Sequence, residues 1–278
     1  MIKVDTHQHY WKLSEVEYSW LVPEYGPIYD TFTPEQLEPQ LKAAGVDKTV
    51  VVQSANSYED TASMLVKADY NDWIAAVVGW VNLLDPEETN KRLEMYTKDR
   101  RFVGIRHLIH TEPDPDWVIQ PVVIESLNVL ASHNMTFDVV AVFPNHLKHV
   151  PTLAERAPAL KMVIDHLAKP PVGQKESPWF EQMKAAAQSP NVYAKLSGQF
   201  DKPEWTVADV RPYVDFALEQ FGPERIMFGS DWPVCILGGS YSSVWANTQA
   251  LIAGLSAAEQ AAVLGGNALK FYNLPLKI

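Results

Sequence analysis

Eight short β-rich runs recur along this 278-residue chain, and their spacing limits its fold more than any other feature. They fall at 2–6, Asp47–Gln53, Ile74–Val81, Phe102–His107, Met135–Val140, Leu160–Asp165, Val192–Leu196 and Arg225–Phe228, with centres roughly 26 to 46 residues apart. Each interval has room for a strand, a helix and two loops, which is what a parallel crossover requires. Runs such as Val50-Val51-Val52 and Ala75-Ala76-Val77-Val78 are apolar on both faces, as strands beneath helices must be.

Helical segments fill the gaps. Thr33 is a candidate N-cap, Pro34 opens the helix and Gly45 stops it. Segments 57–72, 86–98, 117–133, 145–157, 178–189, 207–221 and 241–253 read as further crossover helices. Ser256 with Glu259 forms a capping box that opens a last helix running to about Phe271. Strands and helices alternating in this way predict an α/β protein, a closed (β/α)8 TIM barrel, as one domain over 1–278. The Tyr10–Asp30 stretch is too long and too aromatic for a simple βα connection. It is expected as an ordered excursion over the barrel mouth.

Charge and cysteine content exclude several function classes. Thirty-four acidic and 23 basic side chains give a net charge of -11, a field that repels nucleic acid, and no basic stripe opposes it. No apolar run reaches the ~18 residues of a membrane span, and Met1-Ile2-Lys3 leads at once into polar residues rather than a secretion signal. Cys235 is the only cysteine, so neither a disulfide nor a cysteine-rich zinc site is available. A cytoplasmic enzyme of a small molecule is the expectation, with no nucleic-acid or membrane partner; homo-oligomerisation is left open.

In a TIM barrel the chemistry gathers where strands end. The first run leads into Asp5-Thr6-His7-Gln8-His9, where period-2 alternation puts both imidazoles on one face. The fourth ends in Arg106-His107, the sixth in Asp165-His166 and the eighth in Gly229-Ser230-Asp231-Trp232. Each taken singly reads as a cap, a packed imidazole or a turn residue. Together on one rim they suit catalysis in two ways. In one, His7, His9 and His166 hold a single Zn²⁺, with Asp231 accepting a proton from water or ligating weakly. In the other there is no metal; Asp231 is the general base, and the histidines hold the substrate and its developing oxyanion. Arg106 suits a carboxylate or an ester oxygen. His107, Lys169, Trp80, Gln53 and Trp232 are further substrate-binding candidates, with Tyr10, Trp11, Trp20, Asn56, Asn82 and Ser54 around the mouth. Lys195 within the seventh strand either lines the core in a pair or snorkels outward. No GxSxG elbow, P-loop or Rossmann fingerprint is present.

The ordered set DTHQHYW, GIRH at 104–107, DHLAKP at 165–170, KLSG at 195–198, FGSDWP at 228–233 and NALKFYNL at 267–274 resembles the amidohydrolase superfamily. It is most similar to the branch holding sugar lactonases and dicarboxylate lactonases. The resemblance implies a distorted TIM barrel in which activated water opens a lactone, an aldonolactone such as L-fucono-, L-rhamnono- or galactonolactone. It assigns His7 and His9 to the first-strand pair, His166 to the sixth-strand histidine and Asp231 to the proton acceptor. The fourth strand supplies Arg106 and His107 where relatives often carry a bridging lysine or glutamate, and the fifth ends near Asp138 without a histidine. Both departures argue against a binuclear centre. A metal-dependent decarboxylase of the same superfamily is the competing expectation, and a non-enzymatic binding protein the third.

Overall fold

The computed structural model describes residues 1–274. Eight strands form one sheet in sequence order: β1 Val4–Gln8, β2 Lys48–Val52, β3 Ile74–Gly79, β4 Phe102–His107, β5 Thr136–Val139, β6 Lys161–Ile164, β7 Val192–Leu196 and β8 Ile226–Phe228. All seven neighbouring pairs are parallel. Among the described residues no ladder joins β8 to β1. The barrel instead closes beyond the ends of these strands, where Gln8 bridges Trp232. There the Asp231 amide donates to the His7 carbonyl at 2.7 Å, and the His9 amide to the Trp232 carbonyl at 2.7 Å. This irregular seam is what makes the barrel a distorted one, and it runs through four of the expected site residues, His7, His9, Asp231 and Trp232.

Crossover helices cover the sheet: α1 Pro34–Ala44, α2 Tyr58–Tyr70, α3 Pro86–Tyr96, α4 Pro121–Ser132, α5 Val150–Arg156, α6 Pro178–Ala187, α7 Val207–Phe221 and α8 Tyr241–Ile252. Thr33 and Gln36 form a capping box at α1, and Gly45 ends it in the left-handed conformation. The helices expected over 117–133 and 145–157 are each split. A single 3-10 turn, Trp117–Ile119 or Leu147–His149, precedes α4 or α5, each of which has a proline in its first turn that resets the backbone.

The last expected helix is also interrupted. It runs as α9 Ala257–Ala261, a wide turn over Ala262–Gly266, and α10 Asn267–Phe271. The reason is steric: a Cβ at Gly265 would strike the Ile2 carbonyl, so glycine lets this turn press against the start of β1. Phe271, Tyr272 and Leu274 then join Val4, Val50, Val52, Val78, Val163 and Met227 in one apolar cluster that fills the barrel and closes its N-terminal end.

The first strand begins at Val4, two residues later than its composition suggests, and contains a bulge. From Asp5 to Gln8 it takes three steps while β2 takes two, from Thr49 to Val51. An extra residue reverses which face subsequent side chains take. Val4 therefore belongs to the interior cluster, and beyond the bulge His7 and His9 are buried at the mouth. The Tyr10–Asp30 segment contains a 3-10 turn, Pro23–Ile28. Trp11 pairs with Phe32, and Trp11 packs edge-on against Trp20 and Phe32 at 5.6 and 5.7 Å between ring centres. The Tyr18 hydroxyl ties the excursion to buried Asp60 at 3.2 Å.

Candidate active site

At the C-terminal mouth, β1 and the segment after β8 bring His7, His9 and Asp231 together. Their nearest ligand atoms all lie within 4.8 Å of one another, and all three residues are buried. The pairwise distances are 3.2 Å between the two Nε2 atoms, 3.5 Å from His9 Nε2 to Asp231 Oδ1 and 3.8 Å from His7 Nε2 to that oxygen.

Neighbouring polar groups orient both imidazoles. His9 Nδ1 lies 2.7 Å from the Val52 carbonyl, which can only accept. His7 Nε2 lies 3.2 Å from Arg106 Nη1, and His7 Nδ1 lies 3.2 Å from both Lys195 Nζ and Asp165 Oδ1. The Nε2 atoms of both rings thus converge with Asp231 Oδ1, a donor set suited to a cation. Two ligands at about 2.0–2.1 Å from one tetrahedral zinc lie about 3.4 Å apart. The observed triangle fits a divalent metal.

His166 sits across from this triangle rather than within it. Its ring centre is 4.5 Å from that of His7, and it groups with His7 and Asp165 as a second candidate ligand set. Its Nδ1 is 2.9 Å from Ser197 Oγ and 3.9 Å from Asp231 Oδ2. The two oxygens of Asp231 therefore face different partners: Oδ1 the histidines of β1, Oδ2 His166. Burial lowers His166 to about 4, so it is neutral at neutral pH. Burial disfavours ionised Asp231, but His166, His9, His7 and Lys169 outweigh it and hold this carboxylate well below its usual range.

Beneath the triangle lies a network whose acidic members the sequence reading did not assign. Lys195 is fully buried, settling that it points inward. Its ammonium contacts Asp138 closely and Asp165 at 3.2 Å. Asp138 also accepts from the Tyr272 hydroxyl at 3.0 Å. Burial pushes Asp138 up to about 6 even beside Lys195. Asp165 is also opposed by burial, but Lys195, His7 and Arg106 overcome it and keep Asp165 well below the ordinary value. The signal for these acids was available. In the run Thr136-Phe137-Asp138-Val139 the apolar residues face the helices, so Asp138 must face inward.

Arg106 connects the two groups. Nη1 reaches both His7 and Asp165, the latter at 3.1 Å, while Nε and Nη2 grip the Gln53 carbonyl at 3.1 and 2.5 Å. Gln53 returns the contact, its Nε2 donating to the Arg106 carbonyl at 3.0 Å. These bonds engage four of the five guanidinium N–H groups. His107 turns the opposite way from Arg106, as strand alternation requires. Trp80 Nε1 donates to its Nδ1 at 3.0 Å, so Nε2–H donates to Glu112 at 2.7 Å, and the ring stacks 4.1 Å from Trp117. Lys169 is held by Asp201 at 2.8 Å and by the Gly198 carbonyl at 3.3 Å. Trp232 is buried against Phe32 and Tyr10, Tyr10 also packs on Trp73, and Trp11 lies over His9.

The Amidohydrolase family profile matches residues 4–274. The chain belongs to the amidohydrolase family. An L-fucono-1,5-lactonase of Burkholderia ambifaria is 37% identical over 281 residues, covering 98% of this amidohydrolase and 96% of that relative. A second L-fucono-1,5-lactonase, from Burkholderia multivorans, is 31% identical, with 99% and 97% covered. A crystal structure of a Burkholderia multivorans amidohydrolase with bound zinc superposes with a TM-score of 0.91 at 31% identity, covering 99% of this chain and 100% of the other. Among the described residues no helix is long and apolar enough to cross a membrane.

Proposed function

We propose that this amidohydrolase opens a sugar-derived lactone to its aldonic acid by attack of water on the ring carbonyl. The observation that carries the reading is an ionised carboxylate, Asp231, in a buried rim site beside two converging imidazoles. The similarity to two L-fucono-1,5-lactonases supports the substrate class. Covalent catalysis by Cys235 is disfavoured, because burial pushes its thiol well above the usual value.

Asp231 orients the water and takes its proton as oxygen bonds to the carbonyl carbon. The carbonyl electron pair moves onto oxygen, where neighbouring donors stabilise it, Arg106 among them through its remaining N–H. Collapse of the tetrahedral intermediate breaks the ring C–O bond, and the departing alkoxide takes a proton back from Asp231. The new carboxylic acid then ionises, releasing one proton per turnover. A zinc ion held by His7, His9 and Asp231, with His166 adjacent, would supply electrophilic assistance at the carbonyl and a more acidic water. Lys169, His107, Trp80, Gln53 and Trp232 complete the proposed substrate surroundings, those already bonded acting as walls and supports.

Product analysis tests the reading. With L-fucono-, L-rhamnono- and galactonolactones as substrates, with and without added zinc, the expected result is one proton released per ring opened. A decarboxylase would instead release CO₂ from an unsaturated or aromatic acid. Inactivity on every lactone under both conditions would sink the proposal.

A further inference from the structure

His166 opens a backbone turn that L-residues rarely adopt. Four consecutive residues, none of them glycine, have positive φ: His166 at 56°, Leu167 at 48°, Ala168 at 59° and Lys169 at 52°. The left-handed conformation is unfavourable for each of them, and a run of four is far outside ordinary usage. Such strain persists only where the surroundings over-determine it.

Those surroundings are visible one carbonyl at a time. The His166 carbonyl accepts from Gln199 Nε2 at 2.8 Å and from the Lys169 amide at 2.9 Å. The Leu167 carbonyl accepts from the Trp179 indole at 2.9 Å, and the Ala168 carbonyl from the Phe143 amide at 3.0 Å. The donors come from the loops after β7 and β5 and from the first turn of α6, so three parts of the chain grip one turn. Gln199 and Trp179 are themselves buried, and among the described residues Gln199 Oε1 has no hydrogen-bond partner. A buried amide that leaves one end unpaired contributes little to stability. Gly198 completes the device, since a Cβ there would lie 2.7 Å from His166 Nδ1.

We infer that the left-handed turn His166–Lys169 is a rigid mount for the His166 ring, and that Trp179 and Gln199 are positioning residues acting through it. The left-handed basin of an L-residue is small, so a turn held in it by contacts from three sides has little room to move. The inference rests on the reading above that His166 belongs to the active site.

Three variants test it. Trp179→Phe removes the indole donor, Gln199→Glu replaces a donor with an acceptor at the same shape, and Ala168→Gly frees the backbone without touching a hydrogen bond. All three should lower kcat, by on the order of tenfold to a hundredfold, with KM within about twofold, measured well below each midpoint. Ala168→Gly should keep its Tm within about 3 °C of the parent, because glycine accepts positive φ and offsets the lost methyl contact. Unchanged kcat in folded Ala168→Gly, or kcat losses that only track Tm across the set, would overturn the proposal. An independent readout uses ¹⁵N-histidine NMR. The His166 ring signals should shift or broaden in Ala168→Gly and Gln199→Glu, even if the parent turns over no lactone; unchanged signals would also overturn it. A parent that is inactive while the signals move defeats the lactone assignment and leaves the mount standing.

Discussion

Two groups of ionisable side chains share the barrel interior, and they are built to opposite rules. In the lower group, Asp138 and Asp165 face Lys195 and Arg106, two carboxylates against two cations, all buried. Tyr272 takes up a remaining lone pair of Asp138. The upper group sets a single carboxylate, Asp231, beside two imidazoles whose Nε2 atoms converge on it. The lower group pairs its charges internally, though among the described residues Asp165 Oδ1 has no hydrogen-bond donor; the upper group turns its carboxylate and imidazoles toward the mouth. The difference teaches which charges maintain the barrel and which are left to act on a ligand. A buried pair is costly to break but inert, whereas an incomplete donor set is reactive.

The largest effect should come from the upper group. Asp231→Asn keeps the shape and removes the base, so turnover should fall by about 10³-fold while the circular dichroism and Tm stay close to the parent. Near-normal kcat would end the division of labour, because the upper group would then lack its proton acceptor. Next comes a break in the lower group. Lys195→Met strands Asp138 and Asp165 beside each other without their shared counter-ion and should cost about 3–5 kcal/mol of unfolding free energy. Denaturant titration of this variant checks it. A loss under about 1 kcal/mol would show that the lower acids are neutral and that the pairing contributes nothing.

Much of the upper group was legible in the sequence, because it sits at strand ends in recognisable runs. His7, His9, His166 and Asp231 each follow a β-rich segment, and a barrel brings such ends together whatever their separation. Even so, the bulge between Asp5 and Gln8 was not readable, and it is what rotates the β1 histidines inward beyond Val4. The lower group was harder to see for a physical reason. Asp138 and Asp165 sit in or against runs of apolar residues, and their significance depends on Lys195, which lies on another strand. Lys195 itself supported two orientations until its counter-ions were placed. Arg106 shows the opposite problem: its chemistry suggested a free fork for substrate oxygens, yet the Gln53 carbonyl occupies much of that fork. The eight-strand order needed only periodicity, whereas the split helices depended on proline positions and on the contact between Gly265 and Ile2.

Metal addition sharpens the contrast without altering the lower group. If His7, His9 and Asp231 form the cation site, zinc at about 100-fold above its Kd should stabilise the fold by about 2.7 kcal/mol. Thermal melts of chelated protein with and without zinc read this directly, alongside elemental analysis of the purified enzyme. The shift should vanish in His9→Ala and persist in Lys169→Ala, which leaves the triangle intact. Zinc stabilisation that survives His9→Ala would move the metal to the second set, His7, Asp165 and His166.

The smallest expected effect belongs to Arg106, the residue both groups share. Its replacement by Lys keeps the charge near Asp165 and His7 but cannot reproduce the paired grip on the Gln53 carbonyl. Unfolding free energy should fall by about 1–2 kcal/mol, and kcat/KM by about tenfold as His7 and the substrate carbonyl lose a fixed donor. Stability and turnover measured on the same variant separate the two roles. A lowered midpoint with unchanged kcat/KM would assign Arg106 wholly to the lower group, and the upper group would then have to stabilise the oxyanion with its imidazoles and a bound cation alone. Lost turnover with an unchanged midpoint would show that the lower network tolerates the substitution and that the guanidinium acts on the substrate. Parallel loss of both is what its position predicts, since a single Nη1 atom touches the inert acid and the reactive imidazole together.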